Sequence, residues 1–152
     1  MSNPGISWYT CVLESKVHPR SNIAMKIIGI GTDITECNRI ENMIDKHRDH
    51  FLRHVFTEQE IAYSSTKKRS AEHFAGRWAA KEAMLKAIGT GWISGITWKD
   101  VEIRNEPGGK PSIELSGGAK KIADELGVME IHLSISHCST HAIAQVIAVS
   151  DS

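Results

Sequence analysis

Cysteine is scarce in this chain, long apolar runs are missing, and neither sign of charge is in excess. The three Cys (Cys11, Cys37 and Cys138) among 152 residues lie far apart and form no C-x-x-C pair. That excludes a disulfide framework and a zinc site at ligand spacing, and makes a reducing cytoplasm the default. No apolar stretch approaches the roughly 20 residues that a membrane-spanning helix needs. Lys plus Arg is 18 and Asp plus Glu is 18, so nucleic-acid binding driven by bulk charge is excluded. Gly29-x-Gly31 lacks the third glycine of a dinucleotide-binding fingerprint. What remains is 41% apolar and 24% charged residues, the composition of one soluble globular domain.

Residues 1–24 carry no helical or strand period. Their short apolar run, Trp8 to Leu13, is too short for a signal sequence and has no cationic segment before it. Met25-Lys26 directly precedes the first clear element, so residues 1–24 are read as a disordered extension or an artefact of start-site choice, and 25–152 as the domain. Lys26 to Thr32 reads as a buried strand, with close backbone approach at Gly29 and Gly31. Asp33 and Thr35 then start a helix in which Cys37, Ile40, Ile44 and Phe51 recur to about His50. Thr57 and Glu60 form a capping box for a short helix to Tyr63. Arg69 to Ile88 is the longest regular element. Trp98 to Arg104 alternates as a strand, and the turn Glu106 to Pro111 leads into its return strand, Ser112 to Leu115. A helix over Ala119 to Leu126 and two strands, Glu130 to Ser136 and Ala142 to Val149, complete an α+β fold with a mostly antiparallel sheet packed with helices.

Glu82 is the most informative residue. At 100° per residue it falls about 20° from Ala71, between Ala75 at about 40° and Trp78 at about −20°, in the middle of an apolar stripe. A carboxylate facing a core needs a cation; an Arg in a buried ion pair satisfies that need, and so does a metal. Asp33, where the first strand enters a helix, suits helix capping or, with Glu82, a Mg²⁺ that completes its shell with waters and phosphates. Lys67, Lys68, Arg69, Arg77, Lys81 and Lys86 cluster around the second acid. Lys86 lies one turn beyond Glu82, so both reach one crevice. Singly, Lys67, Lys68 and Lys81 read as a solvated helix face; together the group suits a pyrophosphate. His137 continues the inward parity of Ile131, Leu133 and Ile135, as a half-buried structural histidine does.

Four motifs occur in order: G-I-G-T-D-I-T-E-C-N-R-I at 29–40, A-G-R-W-A-A-K-E-A-M-L-K-A-I-G-T-G at 75–91, G-K-P at 109–111 and S-I-S-H at 134–137. From Lys26 to about Val149 the chain closely resembles holo-[acyl-carrier-protein] synthase, the small 4′-phosphopantetheinyl transferase family. The resemblance implies an Mg²⁺-dependent transfer of phosphopantetheine from coenzyme A to a serine of apo acyl carrier protein, releasing adenosine 3′,5′-bisphosphate in support of fatty acid biosynthesis. It implies Asp33 and Glu82 as Mg²⁺ ligands and Lys86 on the pyrophosphate and the transferring phosphoryl group. It further implies Arg69, Arg77 and Lys81 near the coenzyme phosphates, with Gly109, Lys110, Pro111 and His137 lining the adenosine end. The family is a homotrimer with its sites between subunits, and Arg39, Met43 and Arg53 fall on its carrier-docking positions. The docking helix is nevertheless acidic here, with Glu36, Glu41, Asp45 and Asp49 against Arg39, Lys46 and Arg48. Two other functions use the same residues: an Mg²⁺-dependent pyrophosphohydrolase of coenzyme A-like nucleotides, and a carrier-binding trimer without catalysis. Keeping Asp33, Glu82 and Lys86 together disfavours the second.

Overall fold

The first strand carries a row of small residues on one face, and the longest helix lies directly on that row. The structure, a computed structural model, describes residues 25–92 and 95–151; residues 1–24, with the run Trp8 to Leu13 and Cys11, lie outside the described residues. The strand β1 (Met25–Glu36) pairs antiparallel with β5 (His141–Asp151), and β5 pairs antiparallel with β4 (Glu130–His137). The sheet order is therefore β1-β5-β4. A separate antiparallel hairpin joins β2 (Val101–Asn105) to β3 (Pro111–Leu115). The helices are α1 (Cys37–Val55), α2 (Glu58–Ser65), α3 (Ser70–Ala87) and α4 (Gly117–Glu125). The α+β class and the element order follow the sequence reading, and every strand pairing is antiparallel.

On the inner face of the three-stranded sheet, β5 offers Ala142, Ala144, Val146 and Ala148, all buried, and β1 offers Gly29 and Gly31. Helix α3 lies across them with Ala79, Ala80, Ala83, Met84 and Ala87. A Cβ at Gly31 would stand 2.7 Å from the Ala87 nitrogen and 2.8 Å from the Ala83 carbonyl carbon, and one at Gly29 would overlap the Ala87 carbonyl. At the other end of the helix, Gly76 passes Ile135 of β4. A second core, under α1, gathers Cys37, Ile40, Phe51, Val55, Phe56 and Phe74.

Three boundaries differ from expectation. Strand β1 continues through Asp33 and Thr35, because both pair with β5 (Asp33 with Ala144, Thr35 with Ala142) and Thr35 is buried. Helix α1 runs past His50 to Val55, kinked at Arg48 (φ 43°), since Phe51 and Val55 still have core to fill. Trp98–Asp100 is a 3₁₀ turn rather than strand. Its Asp100 accepts from Thr97 Oγ1 at 2.7 Å, the Thr97 amide at 3.2 Å and the Gly118 amide at 2.9 Å. It thereby caps α4, whose own Ser116 makes no side-chain cap.

Two predictions follow from this packing. Gly31→Ala should cost about 3 kcal/mol, seen as a lower urea midpoint; an unmoved midpoint would mean that α3 and β1 separate freely. For Asp100, burial pushes the carboxyl up, but the donors from Thr97, Gly118 and Ala119 outweigh it and hold the group below its ordinary value. A carboxyl depressed in the folded state contributes stability above its unfolded value, near pH 4, and loses it as pH falls through the folded one. Asp100→Asn should therefore cost about 1–2 kcal/mol at pH 7, and the gap to the parent protein should close below about pH 4. A gap that stays constant with pH would remove the charge from the cap.

Candidate active site

Alternation along β1 puts Asp33 and Thr35 on the same face as Gly29 and Gly31, so the carboxylate follows the glycine row beside α3. Lys86 reaches it from the last turn of that helix. Its Nζ donates to Asp33 Oδ1 at 2.9 Å and to the Thr32 carbonyl at 3.0 Å. Thr35 Oγ1 donates to Asp33 Oδ2 at 2.9 Å, so both oxygens of the acid are oriented. One turn back from Lys86, Glu82 receives the indole N–H of Trp92 on Oε1 at 2.9 Å, and its Oε2 takes no hydrogen bond among the described residues. Two acids and one ammonium thus lie at the junction of β1 and α3, and Lys86 is half-exposed.

Glu82 does not face a core. It is half-buried at the rim, and the donor on it is an indole rather than an Arg. The wheel placed it inward because a wheel assumes one apolar stripe. Helix α3 instead packs against the sheet on one side and α1 and α2 on the other, with 12 of its 18 residues buried. The fully buried charge is one residue earlier. Lys81 is 0% exposed; its Nζ pairs with Glu60 Oε2 at 2.9 Å and donates to the carbonyls of Trp98, at 2.9 Å, and Val101. Lys81 is therefore neither on a solvated face nor open to a coenzyme phosphate in this structure: its ammonium is saturated inside the fold. Burial pushes its pKa down, partly offset by Glu60. The sequence reading passed over Glu60 because its capping-box role, accepting from the Thr57 amide at 2.8 Å, already explained it. Its other oxygen accepts from the Ile103 amide at 3.0 Å.

The other residues that the family resemblance places on the coenzyme side form a second group. Glu72 receives Arg69 Nη1 at 3.0 Å on Oε1, and His137 Nδ1 lies 3.1 Å from Oε2. His73 packs edge-on against His137 with ring centres 5.1 Å apart, and burial followed by the neighbouring His137 and Arg77 pushes its pKa down. Arg77 is nearly buried over the Tyr63 ring at 4.1 Å, with its Nε unpartnered. Its Nη2 donates to Asn105 Oδ1 at 2.7 Å, and Asn105 Nδ2 donates to the Gly109 carbonyl at 3.1 Å. That chain ties the Gly109-Lys110-Pro111 turn, with Gly109 at φ 86°, to the middle of α3. Arg77, Tyr63, Gln59 and Asn105 line a cavity of about 210 Å³.

The two groups do not meet within one chain. Arg69 precedes Lys86 by most of α3, about 25 Å at 1.5 Å per residue. Arg39, Met43 and Arg53, which the family resemblance places at carrier-docking positions, are exposed on α1, and the Arg39 guanidinium lies 5.7 Å from the Trp78 ring centre. Nothing in the sequence singles out Trp92, Glu72 or Asn105, and Thr35 reads there only as a helix starter beside Asp33.

Residues 29–146 match the model of the 4′-phosphopantetheinyl transferase superfamily. The holo-[acyl-carrier-protein] synthase of Koribacter versatilis is 46% identical over 121 residues, covering 80% of this chain and 97% of that protein. Its counterpart in Caldanaerobacter subterraneus subsp. tengcongensis is 48% identical over 122 residues, covering 80% and 94%. Among solved structures, the holo-(acyl-carrier-protein) synthase of Bacillus anthracis in complex with CoA (3′,5′-ADP) aligns with a TM-score of 0.68 at 42% identity, covering 84% of this chain and all of that one. The Plasmodium yoelii holo-ACP-synthase aligns at 0.73 and 38% identity, covering 85% and 99%. The motifs at 29–40 and 75–91 thus sit in a fold shared with these enzymes, and the protein belongs to the holo-[acyl-carrier-protein] synthase family of the 4′-phosphopantetheinyl transferase superfamily.

Proposed function

We propose that this protein transfers the 4′-phosphopantetheine arm of coenzyme A to a serine hydroxyl of apo acyl carrier protein, releasing adenosine 3′,5′-bisphosphate and supporting fatty acid biosynthesis in the cytoplasm. The observation that carries the reading is Lys86 held against Asp33 one helical turn from Glu82, in a chain of this family. Free thiols at Cys37 and Cys138 suit a reducing compartment.

The donor set fits Mg²⁺. Asp33 already holds a cation, the Lys86 ammonium, and Glu82 leaves one oxygen without a hydrogen bond. Two carboxylates leave most of an octahedral shell to phosphates and water. Mg²⁺ held there supplies charge neutralisation on the pyrophosphate. Lys86, half-exposed on a flexible stem, turns from Asp33 to a phosphate oxygen and stabilises the charge that grows as the bond to the departing nucleotide phosphate breaks. The serine oxygen attacks the β-phosphorus from the side opposite the departing nucleotide phosphate and gives up its proton to water or to a carboxylate of the Asp33 and Glu82 group. Positioning carries most of the rate, because phosphoryl transfer asks little covalent chemistry of the protein.

Assembly from copies of this chain, with the site between them, is supported twice. The two groups of coenzyme-side residues lie far apart along α3, so one coenzyme reaches both more readily across a boundary between chains. The outer face of the sheet also exposes Ile30, Ile34 and Ile143, with Ile34 and Ile143 directly paired across β1 and β5. An apolar strip of this kind suits an interface, and we assign it to a homotrimer. Helix α1 presents Arg39, Met43 and Arg53 to the carrier protein.

Intact-mass spectrometry of apo acyl carrier protein incubated with this protein, coenzyme A and Mg²⁺ should show the gain of one phosphopantetheine arm, abolished by a chelator. Consumption of coenzyme A without that gain would replace the transferase by a hydrolase. Glu82→Gln should lower transfer about 100-fold or more with an unchanged circular dichroism spectrum, and unchanged turnover would remove Glu82 from the metal. Arg39→Glu should raise the KM for carrier protein about tenfold while moving that for coenzyme A less than about twofold; equal effects on both would take α1 out of the docking surface.

A further inference from the structure

Trp92 lies beyond the end of α3, so nothing in helical geometry sends its side chain back to Glu82. Ring-on-ring packing does. Its ring centre is 3.6 Å from that of Trp98 with the planes tilted by 37°, and Trp98 in turn stands 4.2 Å from Trp78 on α3 at a tilt of 36°. Phe51 of α1 continues the row at 6.0 Å from Trp78. The outermost ring remains 37% exposed, so burial alone does not explain why a tryptophan stands there. Its one polar atom, Nε1, is spent on Glu82 Oε1 at 2.9 Å.

We propose that Trp92 is a positioning residue for Glu82: the stacked indole fixes one carboxylate oxygen by its N–H and thereby presents the other to the catalytic cation. This rests on the transferase reading of the Asp33, Glu82 and Lys86 group. An indole suits the task because it is a donor only and carries no charge. A Lys or Arg in its place would compete with a divalent ion for the acid, and a hydroxyl would rotate. The charge of Glu82 is left for the metal while its orientation is fixed in advance, which is what partners behind a metal ligand contribute.

The first test needs no turnover. In a ¹⁵N–¹H spectrum of the full chain, the Trp92 indole resonance should shift in Glu82→Ala, and should shift in the unsubstituted protein on addition of Mg²⁺ with adenosine 3′,5′-bisphosphate. The Trp78 indole resonance, farther along the row, should move less. A Trp92 resonance indifferent to both perturbations overturns the proposal. The second test is Trp92→Phe, which keeps an aromatic ring for the stack and deletes the donor. The Mg²⁺ concentration giving half-maximal transfer should rise about tenfold, and Trp92→Leu, which lacks both ring and donor, should do no better. A Trp92→Phe protein with an unchanged Mg²⁺ dependence overturns the proposal, even if its melting temperature has fallen. Failure of the unsubstituted chain to transfer at all would count against the transferase reading, whereas the indole shift on loss of Glu82 would still report on the contact itself.

Discussion

The rest of the structure depends on how closely α3 approaches β1. Two glycines on the inner face of the strand let the helix backbone rest on the strand backbone at Ala83 and Ala87. A side chain at either position would hold the two apart. The next residues on that face are Asp33 and Thr35, and the flank of the same helical turns carries Glu82 and Lys86. The close approach therefore decides whether a lysine stem reaches a carboxylate on another element, and so whether acids 49 residues apart in the chain serve one junction. Small residues continue the principle over the sheet: Ala144 and Ala148 on β5 share a core with Ala79, Ala80 and Ala83 on α3, and Ala142 shares one with Ala75.

A helix so enclosed carries its own electrostatic cost. Lys81 and Glu60 are both fully buried, and each is saturated, Glu60 by the amides of Thr57 and Ile103 and Lys81 by two carbonyls. Such a pair contributes little net stability, but removing one partner costs about 3–5 kcal/mol, because the other charge is stranded. It joins α2, α3 and β2 at one point. Arg77, one turn earlier, adds a chain through Asn105 to the Gly109 turn. The cations on the buried side of α3 thus place the elements around it, whereas Lys86, at the exposed end, pairs with Asp33 at the surface.

Periodicity and punctuation made most of the fold legible. The two-residue period of β4 and β5, the capping box at Thr57 and the turn at Glu106 to Pro111 each depend on neighbours in sequence, and each element stands where they put it. What depends on distant partners was misread. Asp33 and Thr35 look like helix starters and are strand, because pairing with Ala144 and Ala142 overrides their local preference. Trp98 looks like strand and is a 3₁₀ turn, since its carbonyl accepts from Lys81 and the turn's Asp100 caps α4. The wheel drew attention to Glu82 for a reason the structure does not share: on a helix buried on both sides, an acid among apolar residues marks the rim where two packing faces end. That rim is where a ligand can reach, which is why a mistaken burial still pointed to an informative residue. Trp92 left no such mark, because its contact with Glu82 depends on a stack of rings drawn from three separate segments.

The residues that the family resemblance places on the coenzyme side divide along the same helix: α3 carries Lys86 and Glu82 near one end, Arg69 and the Glu72–His137 pair near the other. In coenzyme A the pyrophosphate is bonded to the ribose that carries the 3′-phosphate, a reach well short of the roughly 25 Å between those ends. Most of the helix between those ends is buried, though Glu82 stands at a rim and Arg77 lines a cavity. Its two ends, however, both reach the surface, and the apolar outer face formed by Ile30, Ile34 and Ile143 adjoins the strand that carries Asp33. In the homotrimer proposed above, a second copy covering that face would bring its residues toward the Asp33 end without disturbing any buried contact. Enclosure of α3 within the chain and a site completed between chains would then be two consequences of one packing arrangement.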